Sequence, residues 1–239
     1  MGVVAGSGHR LRIQAEVHQR FPSYAAFVIY AHGVDGGPSD AFAVALLREA
    51  ERIQRAAFAG KPPSGHPHMA AWRQAYRAFG LKPSRYLNSA EALLGRVLRG
   101  EELPAINRLV DLYNAVSLRR VLPVGGEDLD GVASGPTLCF ARGGEPFETV
   151  RGGEPLVDGV PAGEVVWLDR EGVTCRGWNW RQCVRTRLTD ATRHAYFVLD
   201  RLEPYTLDEL YAAGEELAEL IRVTSPGCRL ETSVLGPHS

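Results

Sequence analysis

Between residues 39 and 122 the apolar residues of this chain recur at steps of three and four. Beyond Pro123-Val-Gly-Gly126 they fall in short runs broken by glycine. This single change of period constrains the fold more than any count of residues, because a helical stripe and a β alternation bury different faces. Ser39 or Asp40 caps a predicted helix running to about Ala59, with Phe42, Leu46, Ala50 and Ile53 on one side. Gly60 to Pro67 reads as a linker. Three helical segments follow: His68 to Phe79, Ser89 to Leu98 (capped by Ser89), and Leu103 to Leu118. Strand-like runs then cover Thr137–Ala141, Phe147–Val150, Glu164–Leu168, Gly172–Arg176 and Ala195–Leu199. Ahead of the helices, Leu11–Val17 and Ala25–Ala31 read as two strands separated by Phe21-Pro22-Ser23. A last helix, Leu207–Val223, opens with Thr206 and Glu209 at capping-box spacing. The final sixteen residues trail off or form a short edge. The expectation is an α+β fold, helical in its first half, with a mostly antiparallel sheet and helices packed on one side.

The 45% hydrophobic content of the 239 residues supplies a substantial core, and no run of eighteen apolar residues suggests a membrane span. Met1 to Gln14 has Arg10 and Arg12 without a following apolar stretch, so it does not read as a signal peptide and a cytoplasmic protein is expected. Cys139, Cys175, Cys183 and Cys228 form no CxxC and have no histidines at zinc spacing, and His66 and His68 lack a third ligand nearby. Reduced structural thiols, no metal and no cofactor are expected.

Net charge is −1, which argues against indiscriminate nucleic-acid binding. The charge is unevenly spread, however. From Trp72 to Arg120 nine basic residues face four acidic ones, and from Arg170 to Arg201 seven face three. If the two blocks meet in space they make a phosphate-facing patch; if not, they are solvated surfaces. Lys82, Arg85, Arg176 and Arg185 are its candidate RNA contacts. Lys82, Arg85 and Tyr86 also precede a capped helix, as a small phosphate site would.

Asn107, Asp111 and Asn114 fall at i, i+4 and i+7 of the third helical segment, so they project from one face. Such a row either recognises a ligand with donors and acceptors or braces a neighbouring loop. In Gly177-Trp-Asn-Trp-Arg-Gln182, an extended backbone would point Asn179 away from Trp178 and Trp180. The indoles would then stack a ring or fill the core, and Arg181 would hold a phosphate or carboxylate. His194 is a candidate base with a structural role as its alternative.

Ile106-Asn-Arg-Leu-Val-Asp-Leu-Tyr-Asn114 resembles the "IN-x-V-V-D-x-T-N" helix of the B3/B4 tRNA-editing domain of phenylalanyl-tRNA synthetase β subunits. Leu122-Pro-Val-Gly-Gly-Glu-Asp-Leu-Asp130 resembles that family's "QP-x-H-A-F-D-L-D" loop. Leu138–Val150, with Gly144-Glu145, resembles its strand–"GE"–strand unit, and Glu164–Asp169 the strand that follows. The resemblance runs from about Glu101 to Leu199. It implies one B3/B4-like domain over residues 1–223, its first hundred belonging to a free-standing branch, with 224–239 as a tail. It also implies a central pocket that receives the 3′ end of a mischarged tRNA and hydrolyses the amino acid from it.

On that reading Asn114, Asn107, Gly125 and Gly126 are the catalytic candidates. Asp111, Trp178, Asn179, Arg181 and Tyr86 are those for substrate, and aminoacylated tRNA is the partner. Two departures leave the amino acid open: the family's histidine falls on Gly125, and its tyrosine-reading glutamate falls beside Val198, with Asp200 the nearest acid. Positioned water, with ribose hydroxyls as internal helpers, is the mechanism implied. The alternatives are an RNA-binding module without catalysis, or an enzyme of small amino-acid derivatives using the same pocket.

Overall fold

The structure is a computed structural model describing residues 9–236; the start of the stretch read for a leader and the last three residues of the expected tail lie outside the described residues. The strands are β1 (Arg12–Ile13), β2 (Ala25–His32), β3 (Val124–Asp128), β4 (Thr137–Phe140), β5 (Pro146–Arg151), β6 (Glu154–Gly159), β7 (Val165–Leu168), β8 (Val173–Arg176), β9 (Arg181–Gln182), β10 (His194–Arg201) and β11 (Arg229–Leu235). The helices are α1 (Ala15–Arg20), α2 (Ala41–Phe58), α3 (Pro67–Ala78), α4 (Ser89–Leu98), α5 (Arg108–Arg120) and α6 (Leu207–Thr224). Four strands form an antiparallel sheet in the order β11-β2-β10-β3. A second sheet runs β1-β4-β7-β8-β9, antiparallel except for β1 on β4. β5 and β6 make a separate hairpin. This is the α+β architecture that the change of period predicts.

β2 reads as a continuous apolar run because both faces of its sheet are covered. Phe27 and Ile29 of β2, with Phe197 and Leu199 of β10, pack against Leu217 and Ile221 of α6 and Leu109 and Val116 of α5. From the opposite face, Val28, Tyr30, Tyr196 and Val198 enter an aromatic core with Trp72 and Tyr76 of α3 and with Trp178. α6 approaches the sheet very closely. A Cβ on Gly214 would lie 2.4–2.6 Å from ring atoms of Phe27. The predicted capping box at Thr206 and Glu209 is present.

Several boundaries differ from the expectation. Leu11–Val17 is a two-residue strand and a short helix, in which Val17 alone is buried. α4 is capped by Asn88, whose side chain accepts from the Glu91 amide, and not by Ser89. The expected linker at Gly60–Pro67 contains a short 3-10 turn, Pro63–Gly65. α5 starts at Arg108, not Leu103. Pro104 disfavours helical backbone at Leu103 before it, and the Leu103 amide is taken by Glu51 at 2.8 Å. Of the two readings of the last sixteen residues, the edge is the one found: Arg229–Leu235 forms β11, on the outer edge of β2. β6 and β9, which no apolar alternation announced, complete the sheets.

Replacing Gly214 with alanine is expected to destabilise the fold by about 1–3 kcal/mol, because overpacking against Phe27 outweighs the better helix propensity of alanine. Urea unfolding of that variant beside Gly125→Ala, whose Cβ would meet nothing within 4 Å, measures the effect against a neutral control.

Candidate functional site

A cavity of about 270 Å³ opens between the two sheets, near the lower end of small-molecule sites. Gly125 and Glu127 of β3 and Tyr196, Val198 and Asp200 of β10 form one wall, since alternate residues of paired strands share a face. Tyr113 and Asn114 of α5 and Ala92, Leu93 and Arg96 of α4 form another. The third is Trp178–Trp180, in the turn between β8 and β9, with Arg181 and Gln182 of β9.

That turn is not extended. Gly177 and Trp178 take positive φ values of 56° and 67°. For a tryptophan this conformation is strained, and its surroundings hold it there. Arg176 binds Glu164 through two hydrogen bonds of 3.0 and 2.7 Å, and Glu164 accepts from the Gly177 amide at 2.9 Å. The Trp178 amide donates to Val165 at 2.7 Å. Trp178 is thereby driven fully into the core, edge-on to Phe21, Tyr24 and Trp72 at 4.7–5.1 Å. It seals the cavity floor and is not a free stacking platform. Trp180 stays half-buried, packed edge-on against Tyr86 at 4.6 Å. Tyr86 therefore supports the rim from behind and does not line the cavity.

Asn179 is the polar pivot of the turn. Its Oδ1 accepts from Tyr76 at 2.8 Å and its Nδ2 donates to Asp200 at 3.1 Å. Asp200 also accepts from Tyr24 at 2.7 Å. Burial pushes the Asp200 carboxyl up to about 6, against the pull of those two donors. Glu127 is pushed up to about 7 by burial, opposed by the side chains of Tyr196, Thr186, Thr174 and Gln182; its Oε2 has no hydrogen-bond partner. Asn114 is 8% exposed and its amide makes no hydrogen bond among the described residues. Arg181 is exposed at the rim, with Arg96 beside it paired to Glu101 at 3.1 Å.

Several sequence candidates are occupied elsewhere. Asn107 is not on the helix face but caps α5, accepting from Val110 at 3.0 Å and donating to the Leu188 carbonyl at 3.1 Å. Asp111 accepts from the Ile106 amide at 2.9 Å and from the Ser39 hydroxyl, so it braces the entry to α5. Of the three-residue stripe, only Asn114 reaches the cavity. Gly126 turns away from it, its added Cβ lying 2.7 Å from Phe197, while the Gly125 position opens toward it. Arg176 is spent on Glu164. Arg185 is bound by Asp169 through two bonds of 2.9 Å. Neither is a free cation for RNA, whereas Lys82 and Arg85 are exposed. His194 faces His32 at 3.3 Å, on the β10–β2 register and not among the cavity-lining residues. Among the described residues no group of three His, Cys, Asp or Glu side chains is placed to hold a metal, and the four cysteines are free.

Glu127 was missed from sequence. It lies one residue beyond Gly126, and the signal lay in alternation: if Gly125 faces the pocket, so does residue 127.

The B3/4 domain profile matches residues 71–219, more than half of the chain and the whole stretch that supplies the cavity walls. The chain belongs to the B3/4 domain family. The match begins some thirty residues before the motif resemblance and extends through most of α6. The fold of this B3/4 chain is similar to that of an N-terminal fragment of the phenylalanyl-tRNA synthetase β subunit from Pyrococcus horikoshii, with a TM-score of 0.50 at 11% identity. The similarity covers 96% of this chain and 52% of that one, so the B3/4 chain spans about half the fragment's length. No curated protein matches it. Among the described residues no helix is long and apolar enough to cross a membrane.

The two raised acids set a pH dependence. A carboxyl whose folded value lies above its unfolded value retains its proton longer in the folded state. Stability is then greatest below the unfolded value near 4.5 and falls as pH rises through about 7. For Glu127 the change is on the order of 3 kcal/mol. Chemical denaturation at pH 4.5 and 7.5 is expected to show a smaller loss of stability over this interval for Glu127→Gln than for the wild type.

Proposed function

We propose that this chain hydrolyses aminoacyl-tRNA esters in trans, removing a mischarged amino acid. The reading is carried by one observation: a small cavity with an unpartnered amide, Asn114, at the centre of a B3/4 fold. A space of this size suits an amino-acid side chain better than a nucleotide, and Arg96 and Arg181 at its rim suit the phosphate and ribose outside. The neighbouring fold belongs to a synthetase subunit, which makes tRNA the natural carrier of the ester.

Aminoacyl ester hydrolysis needs little machinery. Water adds to the ester carbonyl, the acyl C–O bond breaks, and the terminal ribose oxygen leaves with the proton. Asn114 donates to the carbonyl oxygen as charge develops there, and the missing side chain at Gly125 leaves room for the ester to enter. No covalent nucleophile is invoked: Cys175 lines the cavity, but burial among its neighbours holds its thiol well above the ordinary range, so it carries no thiolate.

A second reading, RNA binding without turnover, is favoured by Gly125 standing where the family's histidine is expected. Exposed Lys82 and Arg85 serve either reading.

Deacylation of a panel of mischarged tRNAs is expected to proceed with the wild type and to fall by about 10²–10³-fold in kcat for Asn114→Ala. Salt-dependent RNA binding with no turnover on any tRNA would select the second reading. Absence of RNA binding at low salt defeats both.

A further inference from the structure

Seven Asp and Glu side chains are buried among the described residues, and the way each is compensated sets two of them apart. Glu51 pairs with Arg48 and Arg55, Glu91 with Arg73, Glu164 with Arg176 and Asp169 with Arg185, at 2.6–3.5 Å. Asp111 has no cation but takes a backbone N–H in the first turn of α5, where the helix dipole favours it. Glu127 and Asp200 have neither. Their neighbours are neutral: Tyr196, Thr186, Thr174 and Gln182 for one, Tyr24 and Asn179 for the other. Both uncompensated acids line the same cavity. A protein that supplies arginine to four buried acids and withholds it from two in one pocket has left the counter-charge to something else.

We propose that the cavity binds the ammonium group of an aminoacyl substrate with Glu127 as its direct counter-charge, Asp200 adding a second negative charge at the far end. The inference deepens the aminoacyl-ester reading above and rests on it. Two further observations point to a ligand. The Glu127 Oε2 is buried with no hydrogen-bond partner, and the Asn114 side chain lines the neighbouring wall of the cavity. The cavity walls between the acids, Val198, Leu93 and Trp178, are apolar and suit the carbon frame of an amino acid. Along β10 the acids stand four residues apart, counting Tyr196 as the partner of Glu127, or roughly 13 Å between backbones. The spacing puts them at opposite ends of the cavity. Glu127 carries the unpartnered oxygen and is the acid that contacts the ammonium. Asp200, already holding Tyr24 and Asn179, sets the far end. Every aminoacyl-tRNA with a free amine carries the required ammonium, and N-acylation removes it.

The pH sign follows from the groups around the acids. Glu127 faces Tyr196, Thr174, Thr186 and Gln182, with Tyr113 and Cys175 nearby; Asp200 faces Tyr24 and Asn179, with Tyr76 and Cys175 nearby. Among the described residues, the cations lining the cavity are Arg96 and Arg181, at the rim. An ammonium binds the ionised acids, so affinity rises as pH climbs through 6 to 7 and protons are released on binding.

The test uses the full chain and small probes that are not turned over: alaninamide, serinamide and lysinamide, each beside its N-acetyl form, titrated calorimetrically at pH 5.5 and 7.5. For at least one amine, N-acetylation is expected to weaken binding to the wild type about tenfold or more, the strength of a hydrogen bond to a charged group. Glu127→Gln is expected to lose a similar factor, Asp200→Asn a smaller one, and wild-type binding to tighten about tenfold from pH 5.5 to 7.5 with net proton release. Equal affinity for the acetylated forms, or no binding of any amine, overturns the proposal without reliance on a variant. Deacylation of tRNA that is indifferent to N-acetylation keeps the proposed activity and sinks this inference. Acid-dependent amine binding with no turnover of any mischarged tRNA keeps the inference and sinks the activity.

Discussion

The pairing of β10 with β2 on one side and β3 on the other is the constraint on which the site depends. Its register sets Tyr196 against Glu127 and Val198 against Gly125. With that register, strand alternation sends Phe197 and Leu199 under the helices and leaves Tyr196, Val198 and Asp200 facing the cavity. A slip of one residue would exchange the two sets, burying Asp200 against α6 and emptying the pocket of its acids. The close fit of α6 over Gly214 and the stacking of α5 on β3 both hold that register, so the far face of the sheet is part of the site's support.

Much of the fold was legible because periodicity was strong. α2, α3 and α6 fall within two residues of their expected bounds, and β2 and β10 within two. What escaped was decided by partners distant in sequence. Asn88 and Asn107 cap helices because their side chains reach the orphan amides first, and neither Ser89 nor the apolar spacing from Leu103 reveals that. The polar run at β11 leaves a tail and an edge strand equally open, and β2 decides it by offering a full row of backbone groups.

The site was legible more unevenly. Asn114, Gly125, Asn179 and Arg181 do line the cavity. Asn107 and Asp111 belong to the same helical row and do different work, because the helix starts late and both are consumed at its entrance. The Trp-Asn-Trp-Arg segment would separate Asn179 from the indoles only if extended, and its shape depends instead on Glu164, thirteen residues before Gly177, which fixes Arg176 and the Gly177 amide together. A sequence pattern carries no trace of a turn stabilised from a different strand. The same limit hid Glu127, whose burial is set by Tyr196 and the β8 strand opposite.

The four tryptophans are divided by this arrangement. Trp72, Trp167 and Trp178 are sealed, at 0–2% exposure, while Trp180 meets solvent at the edge of the opening. Three indoles therefore emit from buried surroundings, Trp167 and Trp178 against the cavity itself, and one sits at the mouth where water is displaced when the cavity fills. The chain thus carries an intrinsic fluorescence reporter of occupancy, in which a change in the water-exposed fraction of the emission follows entry through the mouth with no label attached.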